Sequence, residues 1–364
     1  MAEMDWTDTG YAYLVEVLVV DQNNVDIVLA TLKGFTLQGA TVTENYNSDS
    51  RVQAKVSTIV DEGTSDGYEE HGRLRLNLLI PSRDWSEEYV TGYVTNISEK
   101  TEHGYTKRDY TIEGTIWGLL NHKIVSPIVV GKGYKLIKGW KSLMGSLTKM
   151  QYNTSDAQDH AFVKETVYEV GTNLSTVLFE MSSGYNRMEV SGHGTVLLVK
   201  YIKPANREAT RTIDFTDPRC LAKLPVELSS SKWEAPGRAI VTATVSKTDS
   251  EGKTTQEVIA GYYDAPTSHH TSIVNRGWLN ARSDAYTGVN ENPSKNDLKA
   301  EAKENWQQSQ SKYRSWTIPT VFADYHAGDV INVIFPDNSV VKVLVESVRT
   351  DFEAYTQDLT VKEV

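Results

Sequence analysis

The sequence predicts a mainly β protein with an α+β insertion: two antiparallel barrel or sandwich regions, a smaller inserted region and one long helix. Three observations carry this expectation. About seven short segments with period-two alternation crowd the first 115 residues or so. Helical stripes then break that rhythm at 136–147 and 172–181. The stretch 318–364 returns to strands behind a long helical segment.

Taken in order, Tyr11 to Val20 (YAYLVEVLVV) is dense in residues that fit a pleated surface. Asp21-Gln22-Asn23-Asn24 reads as a turn and Val25 to Ala30 as the returning strand. Phe35 to Glu44 alternates around Gly39, which marks a bulge or bend. In Arg51 to Val60, Val52, Ala54 and Val56 oppose Gln53, Lys55 and Ser57. Asp61 to Gly72 is a polar loop. Arg73 to Ile80 (RLRLNLLI) alternates most sharply, with Leu74, Leu76 and Leu78 on one face. Val90 to Ile97 and Tyr105 to Gly114 complete this strand set.

Thr115 to Leu120 and Leu136 to Leu147 differ: Trp140, Leu143, Met144 and Leu147 fall at i, i+3, i+4 and i+7. Thr172 to Met181 repeats the stripe with Leu174, Val177, Leu178 and Met181, with Thr172 or Asn173 to cap it and Gly184 to stop it. Both read as core-facing helices. Gly194 to Lys200 is a strand and Pro204 to Arg211 a polar connection. Ala239 to Ser246 and Gln256 to Tyr263 form a hairpin about Asp249-Ser250-Glu251-Gly252, with Ser268 to Asn275 as a candidate third strand. Gly288 to Ser294 is a loop. The long helix follows, opened by Ser294 and Asp297 as a capping box with Asp in place of Glu. Leu298, Ala302, Trp306, Ser309 and Tyr313 line its apolar face; Lys299, Glu301, Lys303, Glu304 and Gln308 face solvent. At the end, Val330 to Phe335 and Val340 to Val348 flank the turn Pro336-Asp337-Asn338-Ser339, and Phe352 to Val361 is a third strand.

Composition narrows the function. At 39% hydrophobic and 23% charged, 364 residues suffice for two or three cores. No apolar run approaches the roughly 20 residues of a bilayer span, so no membrane span is expected. The polar start MAEMDWTDTG is unlike a secretory signal or transit peptide. The single cysteine, Cys220, excludes an internal disulfide framework or multi-cysteine zinc site and reads as a small buried hydrophobe. A net charge of −11 argues against binding nucleic acid by phosphate neutralisation, though not against letting it slide past an acidic wall.

Each candidate for chemistry has a plainer reading. Gly131-Lys132-Gly133 and Gly139-Trp140-Lys141-Ser142 resemble phosphate loops, but Gly133 to Gly139 is one residue too long and Trp140 interrupts Gly-Lys. His269-His270 point to opposite faces if on a strand, and no partner stands at a zinc-like spacing. His193, between Gly192 and Gly194, is an isolated turn residue. Glu69-Glu70 and Glu87-Glu88 are acidic pairs among 48 acidic residues, with nothing to select one for glycosidase-type chemistry. No G-x-S-x-G elbow is present. The 19 Tyr and 8 Trp suit sheets and cores, or else interfaces and sugar binding. No catalytic, cofactor-binding or metal-ligating residue is assigned, no cofactor is implied, and a non-enzymatic structural or binding protein is expected.

The order of elements is similar to that of the tail hub proteins of tailed bacteriophages, the family that includes the baseplate hubs of contractile tails. Trp316-Thr317-Ile318-Pro319, then Ala327-Gly328-Asp329-Val330-Ile331-Asn332-Val333, the hairpin, and Val345-Glu346-Ser347-Val348 resemble the second tube-like domain of such hubs. Gly39 to Val60, Arg73 to Ile80 and Gly92-Tyr93-Val94-Thr95 resemble the first. The helix at Asn173 and the strand Val196 to Tyr201 resemble the inserted domain. The resemblance implies a first tube-like domain at 1–122 and an inserted α/β domain at 123–212, completed by a hairpin at 236–264. The second tube-like domain would comprise 213–235 and 265–364, with the helix at 296–314. It further implies a homotrimer whose paired β-domains make a pseudo-sixfold ring between the hexameric tail tube and a threefold tip. Implied partners are the distal tail protein, the tape measure protein and tail fibre or tip proteins, with DNA passing through without specific binding. The place is the distal end of the virion tail, after synthesis in the host cytoplasm. No segment resembles the lysozyme or peptidase domain of some members, which argues against wall degradation. The alternatives are a distal tail protein in six copies or a receptor- or carbohydrate-binding tail tip protein.

Overall fold

The computed structural model describes residues 13–46, 51–68, 72–162, 164–229, 235–248, 254–269, 271–287, 292–310 and 314–364. The N-terminal third holds β1 (Leu14–Asp21), β2 (Val28–Thr31), β3 (Phe35–Asn45), β4 (Val52–Asp61), β5 (Gly72–Ile80), β6 (Trp85–Glu102) and β7 (Tyr105–Gly114). The mixed stretch that follows runs through α1 (Ile116–Asn121), β8 (Ile128–Val130), α2 (Leu136–Leu147), β9 (Tyr152–Asn153), β10 (Thr166–Tyr168), α3 (Leu174–Ser182), β11 (Asn186–Val190) and β12 (Val196–Lys200). Next come β13 (Arg211–Asp214), β14 (Val226–Ser229), β15 (Arg238–Thr248), β16 (Thr254–Asp264), α4 (Ile273–Arg276), β17 (Ala281–Ala285) and α5 (Lys295–Gln310). The chain closes with β18 (Arg314–Val321), β19 (Val330–Ile334), β20 (Val340–Asp351) and β21 (Thr356–Glu363).

One sheet of thirteen strands runs through both β regions among the described residues, in the order β14-β18-β21-β20-β3-β4-β7-β6-β5-β1-β2. β19 pairs with β20, and β13 lies parallel on β19. The path stays open, so the two β regions are parts of a large, mainly antiparallel sheet and not closed barrels. They meet where β20 pairs antiparallel with β3, from Ser347 opposite Asn45 to Asp351 opposite Thr41. Tyr46 N to Glu346 O at 2.7 Å and Phe352 N to Ala40 O at 3.1 Å extend this seam at both ends.

Period-two alternation places the first core. Val17, Val19, Val42, Ala54, Val56, Leu74, Leu76, Leu78 and Ile112 share one buried cluster, each large aliphatic side chain contributing about 1.5–3 kcal/mol by leaving water. A second cluster forms between the closing strands, around Ile318, Ile331, Val333, Val343, Val345, Leu359 and Val361. In the mixed stretch, Trp140 and Met144 of α2 pack on Leu174, Val177, Leu178 and Met181 of α3, as the helical stripes predict. Leu174 N is satisfied by His122 O at 2.7 Å and no cap hydrogen bond comes from the Asn173 side chain.

Several expectations are met in detail. The β3–β4 register shifts between Thr36 and Thr41, bracketing Gly39 at φ +73°. The capping box forms: Ser294 N donates to Asp297 Oδ2 at 2.8 Å and Asp297 N to Ser294 Oγ at 3.2 Å. Leu298, Ala302, Trp306 and Ser309 are buried, whereas Tyr313 lies outside the described residues. Cys220, expected to be buried, is only half-buried against the closing cluster.

Other expectations change. The described residues among 268–275 do not form the third strand of the hairpin sheet. Ser272 Oγ accepts Asn275 N at 3.3 Å and starts α4, while β17 pairs parallel to β15 instead. Separately, the 238–264 hairpin packs on α5: Ala239 and Val241 share a cluster with Leu298, Ala302 and Trp306. Gly261 allows this contact, since a Cβ there would sit 2.5 Å from Lys299 N. Residues 314–321 form a further strand ahead of the three expected at the C-terminal end. β6 spans 18 residues, well beyond the expected 90–97.

Candidate functional site

A cavity of about 410 Å³ lies where three parts of the chain meet. Glu44 and Tyr46 come from the end of β3, Glu87 to Thr91 from β6, Arg187 and Glu189 from β11, and His326 to Asp329 from the loop before β19. A bulge aims the β6 contribution. Leu76 faces Val90 and Asn77 faces Glu88, which leaves Tyr89 as the extra residue. Tyr89 turns into the seam, its hydroxyl 2.8 Å from Thr350 Oγ1 and accepting from Gln357 Nε2 at 3.3 Å. Burial pushes its phenol above the ordinary range. The fully buried Gln357 in turn accepts from Ala323 N at 3.1 Å and Tyr325 N at 3.2 Å, holding the 322–326 loop in place.

His326 is the centre of the charged face. Its Nδ1 lies 3.0 Å from Glu44 Oε1, and its Nε2 lies 3.0 Å from Asp324 Oδ1 and 3.6 Å from Glu87 Oε1. His326 N also donates to Asp329 Oδ2 at 3.0 Å, and Arg211 Nη2 stands 3.7 Å from Asp324 Oδ2. Burial alone would lower the imidazole; the charge of Glu44 and the hydrogen bonds to Asp324 and Glu44, with the Glu87 carboxylate nearby, overcome it and hold His326 well above its ordinary value. Burial pushes both Glu87 and Asp329 up. Asp324 is also desolvated, but His326 outweighs that and keeps its carboxyl low. Four carboxylates thus surround one imidazole and one guanidinium. Ligand atoms of Glu87, Asp324 and His326 lie within 4.8 Å of one another, so these three are the residues that could hold a metal.

The opposite wall is cationic and aromatic. The Arg187 guanidinium lies 3.2 Å from the centre of the Tyr46 ring and donates to Tyr46 O. Arg207 Nη2 donates to Tyr46 Oη at 2.6 Å and its Nη1 to Gly328 O at 2.9 Å. Gly328, at φ +107°, lets the loop lie on that ring: a Cβ would stand 2.9 Å from Tyr46 Cδ2. Beside the cavity, the Ser191–Thr195 turn docks on β6. Gly192 fits so closely that a Cβ would fall 1.4 Å from Glu88 O, and Thr91 Oγ1 donates to Gly192 O at 2.7 Å. His193 is a turn residue but not an isolated one. Its Nδ1 is 2.5 Å from Glu88 Oε2 and its Nε2 2.7 Å from Asp26 Oδ1. The buried Arg75 completes this contact through Glu88 at 2.9 Å and Val25 O at 2.6 Å.

The groups singled out in the sequence scatter. Glu87 and Glu88 do not act as a pair: Glu87 faces His326 and Glu88 faces Arg75 and His193. Glu69-Glu70 and His270 lie outside the described residues. His269 bonds Thr271 Oγ1 at 2.9 Å and packs edge-on against Trp306. Lys132 and Ser142 do not share a phosphate loop, because Gly139 and Trp140 are inside α2 and Trp140 is fully buried. Sequence reasoning missed Glu44, Arg187, Arg207, Asp324 and His326. Asp324-Tyr325-His326 is a local signal, but its partners stand some 240–280 residues away in sequence.

No family model matches the sequence, and no curated protein matches it. Solved structures do match its fold. A tail protein from Neisseria meningitidis superposes with a TM-score of 0.64 at 12% identity, covering 97% of this chain and 97% of that one. The 43 kDa tail protein of prophage MuSo2 from Shewanella oneidensis gives 0.65 at 9% identity, covering 96% and 98%. The prophage tail protein gp18 from Listeria monocytogenes gives 0.54 at 11% identity, covering 95% and 94%. Along nearly its whole length the chain thus carries the fold of phage tail proteins, as its resemblance to tail hubs implies.

Proposed function

We propose that this chain is a non-enzymatic structural protein of a phage-type tail, and specifically its hub: a homotrimer forming a pseudo-sixfold ring at the distal end of the virion tail. The observation that carries this reading is the continuous sheet. One chain holds two β regions joined edge to edge by β20 and β3, so three chains would supply six such regions. The sheet also ends on an edge that suits a neighbouring subunit. β2 pairs only with β1 among the described residues, and Ile27, Val28 and Leu29 around it are 49%, 49% and 44% exposed. An apolar edge strand in water invites pairing with another chain. The ring would sit between the tail tube and the tip. It would contact the distal tail protein, the tape measure protein and fibre or tip proteins, and DNA would pass through it without specific binding. The acidic balance of −11 supports a lumen that repels phosphate.

The test is mass and symmetry. Light scattering on the purified chain should give three times its 40.7 kDa mass, and electron-microscope images should show threefold rings. A monomer at high concentration with no ring would sink the hub reading. Sixfold rings would move the assignment to a distal tail protein. Glycan binding lost on changing one or two aromatic residues would favour a receptor-binding tip protein.

A further inference from the structure

We propose that Glu87, Asp324 and His326 form a binding site for a divalent transition-metal cation of the zinc or cobalt type, clipping the N-terminal β region to the closing one. The ligands come from both regions: Glu87 stands on β6, and Asp324 and His326 stand in the loop between β18 and β19. The spacing fits. Ligands about 2.0–2.2 Å from a metal at angles between roughly 90° and 110° stand about 3.0–3.6 Å from each other. His326 Nε2 lies 3.0 Å from Asp324 Oδ1 and 3.6 Å from Glu87 Oε1. As a hydrogen bond the second distance fails, and one imidazole N–H cannot serve two carboxylates well. As two edges of a coordination polyhedron, both distances are ordinary.

The outer groups are those that a metal-bound histidine uses. Glu44, through Oε1 at 3.0 Å and Oε2 at 3.2 Å, accepts from Nδ1–H and leaves the Nε2 lone pair for the metal. Glu44 is itself fixed by Ala327 N at 3.1 Å. Arg211, 3.7 Å from Asp324 Oδ2, holds that carboxylate on its far side. The charge is also short of cations, because an imidazole that ligates through Nε2 is neutral and leaves Arg211 to face Glu44, Glu87, Asp324 and Asp329. Entry is open, because the His326 and Glu87 side chains are each 33% exposed, and the adjoining cavity has room for waters to fill the remaining positions. One imidazole nitrogen with two carboxylate oxygens suits zinc, cobalt or manganese better than calcium or magnesium, which prefer all-oxygen shells.

The experiment uses the full chain, stripped with a chelator and titrated with Zn²⁺, and separately with Co²⁺, whose visible absorption reports nitrogen coordination. One ion per chain is expected, with a Co²⁺ spectrum and a raised melting temperature on Zn²⁺ addition. H326Q should abolish the Co²⁺ spectrum and the thermal shift, and E87Q, altered on the other β region, should do the same if H326Q fails to fold. E44Q should keep the stoichiometry and weaken affinity about 10–100-fold. Mg²⁺ should not compete at equal concentration. No binding by the parent chain at about 1 mM metal, or binding unchanged in both H326Q and E87Q, overturns the site. This outcome is independent of whether the chain forms rings.

Discussion

Asp66 has no exposed side-chain surface, although it lies in a stretch that reads as polar loop. Burial alone would push its carboxyl up. Hydrogen bonds from Tyr110 Oη, Tyr68 N and Thr58 Oγ1, with the Arg108 guanidinium at 3.0 Å, outweigh that and hold it below the usual range. A depressed native value makes its stabilisation complete above the unfolded carboxyl value of about 3.9 and lost as pH falls through the native value. Asp66→Asn should therefore cost about 2 kcal/mol at pH 7 in urea unfolding, and the gap to the parent should shrink at pH 3. A gap that stayed constant with pH would exclude the charge as its source. Gly192 makes a steric prediction at the same scale. Ala there drives a methyl into Glu88 O and should cost about 3 kcal/mol, read as lower melting temperature and faster proteolysis of the mixed stretch from α1 to β12. Neither residue shows its role in the sequence. Local patterning reaches a few positions along the chain, while Asp66 meets Tyr110, and His326 meets Glu44 and Glu87, only after the sheet has formed.

Elements were more legible than residues, for reasons that particular cases show. Tyr105–Gly114 and Leu136–Leu147 fall where alternation and the helical stripe put them, because one face of each meets a core and the other does not. β17 could not be read so: its sequence ARSDA has little apolar content, and its pairing with β15 is settled by main-chain hydrogen bonds. The apolar face of the 238–264 hairpin does not say in the sequence which neighbour covers it. Trp306 supplies the answer, packing against Tyr263 and His269 and donating Nε1–H to Pro236 O at 3.1 Å. Trp306→Ala should cost about 3–5 kcal/mol and raise amide exchange through 238–264 while sparing β4 and β7. β21 lies between β18 and β20, so deleting 351–364 leaves two strands without their ladder partner. That truncation should abolish the folded state and with it the proposed ring, and rings formed by the truncated chain would contradict this assignment of β21.

For the whole molecule, the exposed edge at β2 gives the sharpest handle on assembly. Val28→Glu puts a charge on a side chain that contacts solvent in the isolated chain. The variant should keep the parent's circular-dichroism spectrum yet run as a smaller species by light scattering, and a variant that still assembled fully would remove β2 from the proposed interface. The join between the two β regions has a different kind of consequence. Its bonds are main-chain bonds from Thr41–Asn45 to Ser347–Asp351, and a peptide group is the same whatever side chain it carries. A union written in peptide groups places few demands on the identity of the residues along it. Chains that share such a join can differ at almost every side chain and keep the same architecture: tail proteins with 9–12% identity still superpose along nearly all of this chain.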